Sequence, residues 1–143
     1  FPGASHMKAK AHTILFVDDE PVSTEPLRLL LEAKGFTCVS RTDMSSAMEF
    51  LRCNRVSVLV TDIMMPSGDQ FPGIDSSETG FHFVFKVRDE FPDVSIICLS
   101  VIGDQNKIQK LKKRGTLYLR KGETPLDTAA RLIESKATGV ISY

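Results

Sequence analysis

At 143 residues, with 42% hydrophobic and 25% charged side chains, the chain has the make-up of one globular domain with a single core. Lys and Arg together number 18, as do Asp and Glu, so no net field draws the domain toward nucleic acid or an anionic membrane. No apolar run approaches the ~20 residues of a membrane-spanning helix, and no secretory signal is visible.

The opening FPGASHM reads as a cloning or protease-cleavage remnant, residues 1–6 standing outside a single domain that runs over 7–143. TILFV (13–17) is a short, wholly apolar run, the pattern of a strand covered on both faces. After DDEP, the stretch STEPLRLLLEAKG repeats Leu27, Leu30 and Leu31 at helical spacing, with Pro26 in the first turn and Gly35 as stop. TCVS (37–40) predicts a second strand. TDMSSAMEFLRCN (42–54) predicts a helix with an Asp or Thr cap and Ala47, Met48, Phe50 and Leu51 facing inward.

VSVLVT (56–61) predicts the third strand, and a long polar loop follows it. GFHFVFKVRDEF (80–91) predicts a helix closed by Pro92. VSIICLS (94–100) is the fourth strand, and DQNKIQKLKKRG (104–115) a polar helix ending at Gly115. Its lysines read as a solvated face, since no aromatics interleave them. TLYLR (116–120) is the fifth strand, and TPLDTAARLIES (124–135) the last helix, with Thr124 as cap and Pro125 at its first position. Strict alternation of this kind implies a parallel sheet with helices on both faces. Such sheets gather functional groups at the carboxyl edge of their strands.

Cys38, Cys53 and Cys98 have no C-x-x-C spacing and read as small buried hydrophobes in a reducing compartment. Beyond the remnant, His12 and His82 are the histidines, too few for a histidine-based metal site or triad. The carboxyl edge is richer. Asp18, Asp19 and Glu20 follow the first strand, Asp62 the third and Lys121 the fifth, while Ser100 ends the fourth. The acids by themselves could merely cap helices. If strands one, three, four and five are neighbours, however, these groups meet in one pocket.

Carboxylates so close repel one another unless a cation sits among them, and an all-oxygen set favours Mg²⁺. A carboxylate in that setting can attack a phosphoryl group to give an aspartyl phosphate. The incoming charge would be neutralised by the metal, a lysine and a hydroxyl.

The stretches ILFVDDEP, VLVTDIMMP, IICLS and YLRK occur in this order across nearly the whole native chain. With them the sequence resembles the receiver domains of two-component response regulators. The resemblance implies a flavodoxin-like α/β fold: a doubly wound five-stranded parallel sheet with five helices in three layers. It also implies a cytoplasmic signalling module that takes a phosphoryl group from a sensor histidine kinase or phosphotransfer protein. Such a module is not an enzyme beyond slow hydrolysis of its own phosphate.

Carried over, Asp62 is the phosphoacceptor, and Asp18 and Asp19 form the acidic pair of the metal site. Mg²⁺ is held by Asp19, Asp62 and the backbone carbonyl of Met64. Lys121 pairs with the phosphate, Ser100 is the switch hydroxyl, and Tyr118 the aromatic switch residue. Residues 100–135 form the face for an output domain, an effector or a second copy of the chain, with no direct nucleic-acid or membrane contact.

Three places depart from the family pattern. Gly122 follows Lys121 where the family usually has proline, and Val101 follows Ser100 where it has a small residue. Thirteen residues, 67–79, separate Pro66 from Gly80 where about three are usual. With Phe71 and Ile74 as apolar anchors against the domain or a partner, this insertion reads as a solvent loop, or else as a lid beside Asp62 or a partner-binding element. Two other functions compete: a degenerate receiver that only docks, and a Mg²⁺-dependent phosphatase of haloacid dehalogenase type. The phosphatase would place its nucleophile in a D-x-D pattern after the first strand, where this chain has DDE.

Overall fold

A computed structural model describes residues 12–63, 76–100 and 105–139. Five strands, β1 (Thr13–Val17), β2 (Thr37–Arg41), β3 (Val58–Thr61), β4 (Ser95–Ser100) and β5 (Leu117–Arg120), pair in parallel in the order β2-β1-β3-β4-β5. The helices are α1 (Glu25–Ala33), α2 (Met44–Cys53), α3 (Ser76–Glu90), α4 (Gln105–Lys113) and α5 (Leu126–Thr138). A 3₁₀ turn at Pro21–Thr24 leads into α1. No helix among the described residues is long and apolar enough to cross a membrane.

Strand periodicity divides the core in two. Successive side chains point to opposite faces, so Leu15, Val17 and Leu59 join Met44, Met48, Val84 and Leu111 under α2, α3 and α4. Ile14, Phe16, Val58, Val60 and Ile97 join Leu27, Leu31, Ala130 and Ile133 under α1 and α5. This is why β1 and β3 read as unbroken apolar runs: both of their faces are covered. The doubly wound, three-layer architecture expected from the alternation is present.

Several local expectations are met and several are corrected. Asp43 caps α2 by accepting the Ser46 N–H at 2.8 Å. Phe50 is half-buried: it packs against the edge of the core under α2, as expected, and its ring lies 4.9 Å from the Arg41 guanidinium. Cys98 is buried, but Cys38 is half-buried on the edge strand and Cys53 is exposed at the end of α2. Burial pushes the Cys38 thiol up to about 12, the charge of Glu32 adding to it.

Thr124 does not cap α5; Pro125 holds that position, and the Thr124 hydroxyl donates to the Arg120 carbonyl at 3.0 Å. The third helix begins at Ser76, not Gly80, and takes in the tail of the expected 67–79 loop. The remainder of that loop, with Phe71 and Ile74, lies outside the described residues, as do Met64 and Val101.

The turn after β5 explains the glycine that stands in place of proline. The Lys121 N–H still donates to the Ser100 carbonyl at 2.9 Å, as a continuation of the β4–β5 ladder. The chain then folds over the Arg120 carbonyl, which accepts the N–H groups of Glu123 at 3.2 Å and Thr124 at 3.1 Å. Closing so tightly puts Gly122 at φ +83°, while a Cβ there would meet nothing within 4 Å. The constraint is backbone conformation, not space.

Proline locks φ near −65°, so restoring the family's usual residue should damage this turn. We expect Gly122→Pro to lower stability by more than about 1 kcal/mol in urea unfolding. An unchanged or raised midpoint would mean that the turn rebuilds around proline at no cost.

Candidate functional site

Each strand delivers its polar residue to the carboxyl edge because the sheet interior has no place for it. Asp18 follows Val17 and is only 3% exposed, so its charge needs partners. It has them. Oδ1 accepts the Glu20 N–H at 2.8 Å, and Oδ2 accepts the Ser23 hydroxyl at 3.0 Å and the Lys121 ammonium at 2.5 Å.

Asp62 follows Thr61 and keeps 11% of its side chain exposed. Its backbone is fixed at both ends: its N–H donates to the Val17 carbonyl at 2.9 Å, and the Thr61 hydroxyl donates to its own carbonyl at 3.0 Å. The Lys121 ammonium reaches Asp62 Oδ2 at 3.1 Å and so bridges the two aspartates.

Asp19 is exposed beside them. Carboxylate oxygens of Asp18, Asp19 and Asp62 lie within 4.8 Å of one another. Desolvation, then the charges of Asp18, Asp62 and Glu20, push the Asp19 carboxyl above its ordinary value. Burial alone would pull the Lys121 ammonium down. The hydrogen bonds to Asp18 and Asp62 and the charges of both outweigh that and hold it above its usual range. Two carboxylates thus share one ammonium with a third beside them, and negative charge is left over. An oxygen-only donor set with surplus negative charge fits a hard divalent cation.

Ser100, at the end of β4, is 0% exposed, and its carbonyl takes the Tyr118 phenol at 3.2 Å as well as the Lys121 N–H. Burial raises the Tyr118 phenol, an effect that Arg120 partly offsets. The structure therefore brings Asp18, Asp19, Asp62 and Lys121 into one pocket, with the Ser100 and Tyr118 pair beside Lys121. Met64 lies outside the described residues.

Sequence reasoning missed Ser23 and Thr61. Ser23 reads as a helix start, five residues after Asp18, yet its hydroxyl serves the buried carboxylate. Thr61 reads as the last β-branched residue of a strand, yet it steadies the peptide on which Asp62 sits.

A family model described as the response regulator receiver domain matches residues 14–134. Among curated proteins, the response regulator GtcR of Aneurinibacillus migulanus is 30% identical over 120 residues, 84% of this chain and 46% of that protein. The phosphate regulon transcriptional regulatory protein PhoB of Pseudomonas aeruginosa is 29% identical over 123 residues, 84% of this chain and 49% of that protein. The chain spans about half the length of these relatives.

Among solved structures, a two-component response regulator from Clostridium difficile superposes with a TM-score of 0.73 at 18% identity, covering 87% of this chain and 94% of that one. The response regulator TrrA of Thermotoga maritima, in complex with Mg²⁺-BeF, gives 0.69 at 22% identity, with 87% and 98% covered. At these identities the superpositions establish a shared fold. With the family match running from inside β1 to the last turns of α5, the chain belongs to the response regulator receiver domain family.

Proposed function

We propose that Asp62 accepts a phosphoryl group from a phosphohistidine on a sensor kinase or phosphotransfer protein, and that the domain passes the change to an output domain or effector. The observation that carries this reading is the Lys121 bridge between Asp18 and Asp62 at the carboxyl edge. A purely structural acid would not be left partly open beside a shared ammonium and a second, crowded carboxylate. Family membership leaves no place for the phosphatase alternative.

In the transfer, an Asp62 carboxylate oxygen attacks phosphorus as the P–N bond to the imidazole breaks. The bonding pair goes to the imidazole nitrogen. Lys121 stays charged throughout, because its neighbours hold its ammonium up. It can pass from Asp62 Oδ2 to a phosphoryl oxygen while Asp18 retains it. Asp18 is steadied for this by Glu20 N–H and Ser23. Mg²⁺ bound by Asp19 and Asp62, with Asp18 beside them and the Met64 carbonyl as a further ligand, would neutralise the phosphoryl oxygens. The neighbour in complex with Mg²⁺-BeF supports that choice of ion.

Ser100 and Tyr118 are the proposed readers of the new charge. A Ser100 hydroxyl drawn to the phosphoryl group would disturb the carbonyl that Tyr118 now holds, so two packings of one site compete. The face over residues 100–135 would then dock its partner or a second copy.

Incubated with Mg²⁺ and a small phosphodonor, Asp62→Asn should show no acid-labile phosphorylation by mass spectrometry while its circular dichroism is unchanged. Undiminished labelling at position 62 would end the phosphoacceptor assignment. Asp19→Ala should weaken Mg²⁺ by about tenfold or more in a titration; equal binding would move the metal site elsewhere. Amide exchange should change across residues 105–121 when a phosphoryl mimic is added. Identical profiles would leave a domain that is phosphorylated without switching.

A further inference from the structure

Gly80 occupies an unfavourable place. It lies inside α3, four residues past the start of the helix, where glycine is a poorer choice than alanine. A Cβ at this position would stand 2.0 Å from the Ile63 carbonyl oxygen, 2.5 Å from its Cα and 2.6 Å from its carbonyl carbon. All three are backbone atoms, so no side chain can swing aside to make room. The backbone of α3 is therefore seated directly on the backbone of Ile63, the residue that follows Asp62.

The backbone just before Ile63 and the Ile63 side chain are held as well. Asp62 N–H is tied to the end of β1, the Asp62 carbonyl is tied to Thr61, and the Ile63 side chain is fully buried under α2 and α3. We propose that Gly80 is a positioning residue for phosphoryl transfer: by lacking a side chain it lets α3 close against Ile63 and set where Asp62 stands. This rests on the reading of Asp62 as phosphoacceptor. To bring a Cβ out to 3.0 Å from the Ile63 carbonyl oxygen, the two backbones must part by about 1 Å. The path of that displacement leads to Asp62, whose oxygen sits 3.1 Å from Lys121 Nζ. Displacements of this size can cost up to about 10²-fold in rate.

The test compares the full chain with Gly80→Ala and with Gly139→Ala. Gly139 ends α5 at φ +72° with nothing within 4 Å of an added Cβ, so its replacement strains the backbone without touching the site. Three quantities are read: the initial rate of Asp62 labelling by acetyl phosphate with Mg²⁺, the urea midpoint, and the amide resonances of Asp62 and Ile63. Gly80→Ala should slow labelling about tenfold or more and shift both resonances, while Gly139→Ala, at a lowered midpoint, keeps the wild-type rate.

If Gly80→Ala does not fold, Ile63→Val loosens the same peptide from the core side. It should slow labelling where Val87→Ala, buried two turns along the same helix, does not. A wild-type rate in Gly80→Ala, or in Ile63→Val, overturns the proposal, and so does equal slowing in Gly139→Ala. A wild-type protein that takes no label at Asp62 sinks the phosphoacceptor reading itself, which tells the two failures apart.

Discussion

The contact on which the rest of this structure depends is a single ammonium shared by two carboxylates. Lys121 Nζ meets Asp18 Oδ2 and Asp62 Oδ2 across sequence separations of 103 and 59 residues. Two strand spacings, roughly 10 Å, separate β5 from β3, so a long flexible stem is needed to span them. The strand order β1-β3-β4-β5 puts the four chain ends within that reach. Asp18 and Lys121 are each costly to bury alone. Together, with Ser23 and Glu20 N–H filling the other positions on Asp18, they hold a charged site at the rim of an apolar sheet.

How far the sequence revealed this follows from where each signal resides. The strands were legible because burial on both faces makes β1 and β3 continuous apolar runs, and each run stops where a charge begins. Asp18, Asp62 and Lys121 stand out for the same reason. The missed features are those decided by distant partners. Gly80 reads locally as a helix boundary, yet what requires a glycine is the Ile63 backbone, seventeen positions earlier in the chain. Thr124 before Pro125 reads as a cap, but the helix begins one residue later, with Pro125 at the cap position and the Thr124 hydroxyl turned back to the Arg120 carbonyl. Cys53 shares an apolar neighbourhood in sequence, while helical geometry turns it to solvent.

The helices are not held equally. In α2, Met44, Ala47, Met48 and Leu51 are buried, whereas α4 buries Ile108 and Leu111. Beside the buried Leu111, the contacts between the α4 segment and α3 are electrostatic ones toward the rim. Lys107 lies 5.3 Å from the Phe81 ring and Arg114 lies 4.6 Å from that of Phe85, with Asp89 3.9 Å from Arg114. Partly exposed contacts of this kind contribute up to about 1 kcal/mol each. The basic run in α4 is thus a solvated face that also supplies a soft attachment. A helix attached this way shifts at lower cost than one anchored by four buried side chains.

Two glycines flank the pocket and serve it for opposite reasons. Gly122 has room for a side chain but a backbone that L-residues avoid; Gly80 has an ordinary helical backbone but no room. The first closes the turn directly after Lys121, and the second brings α3 against the backbone directly after Asp62. The side chains that meet at Lys121 would be present in any chain carrying the same motifs. The 3.1 Å between Lys121 Nζ and Asp62 Oδ2 also depends on the backbone that carries them, which is the role proposed for Gly80. Gly122 has a turn to close and Gly80 a neighbouring backbone to admit, so the two glycines answer different local requirements on either side of the Lys121–Asp62 contact.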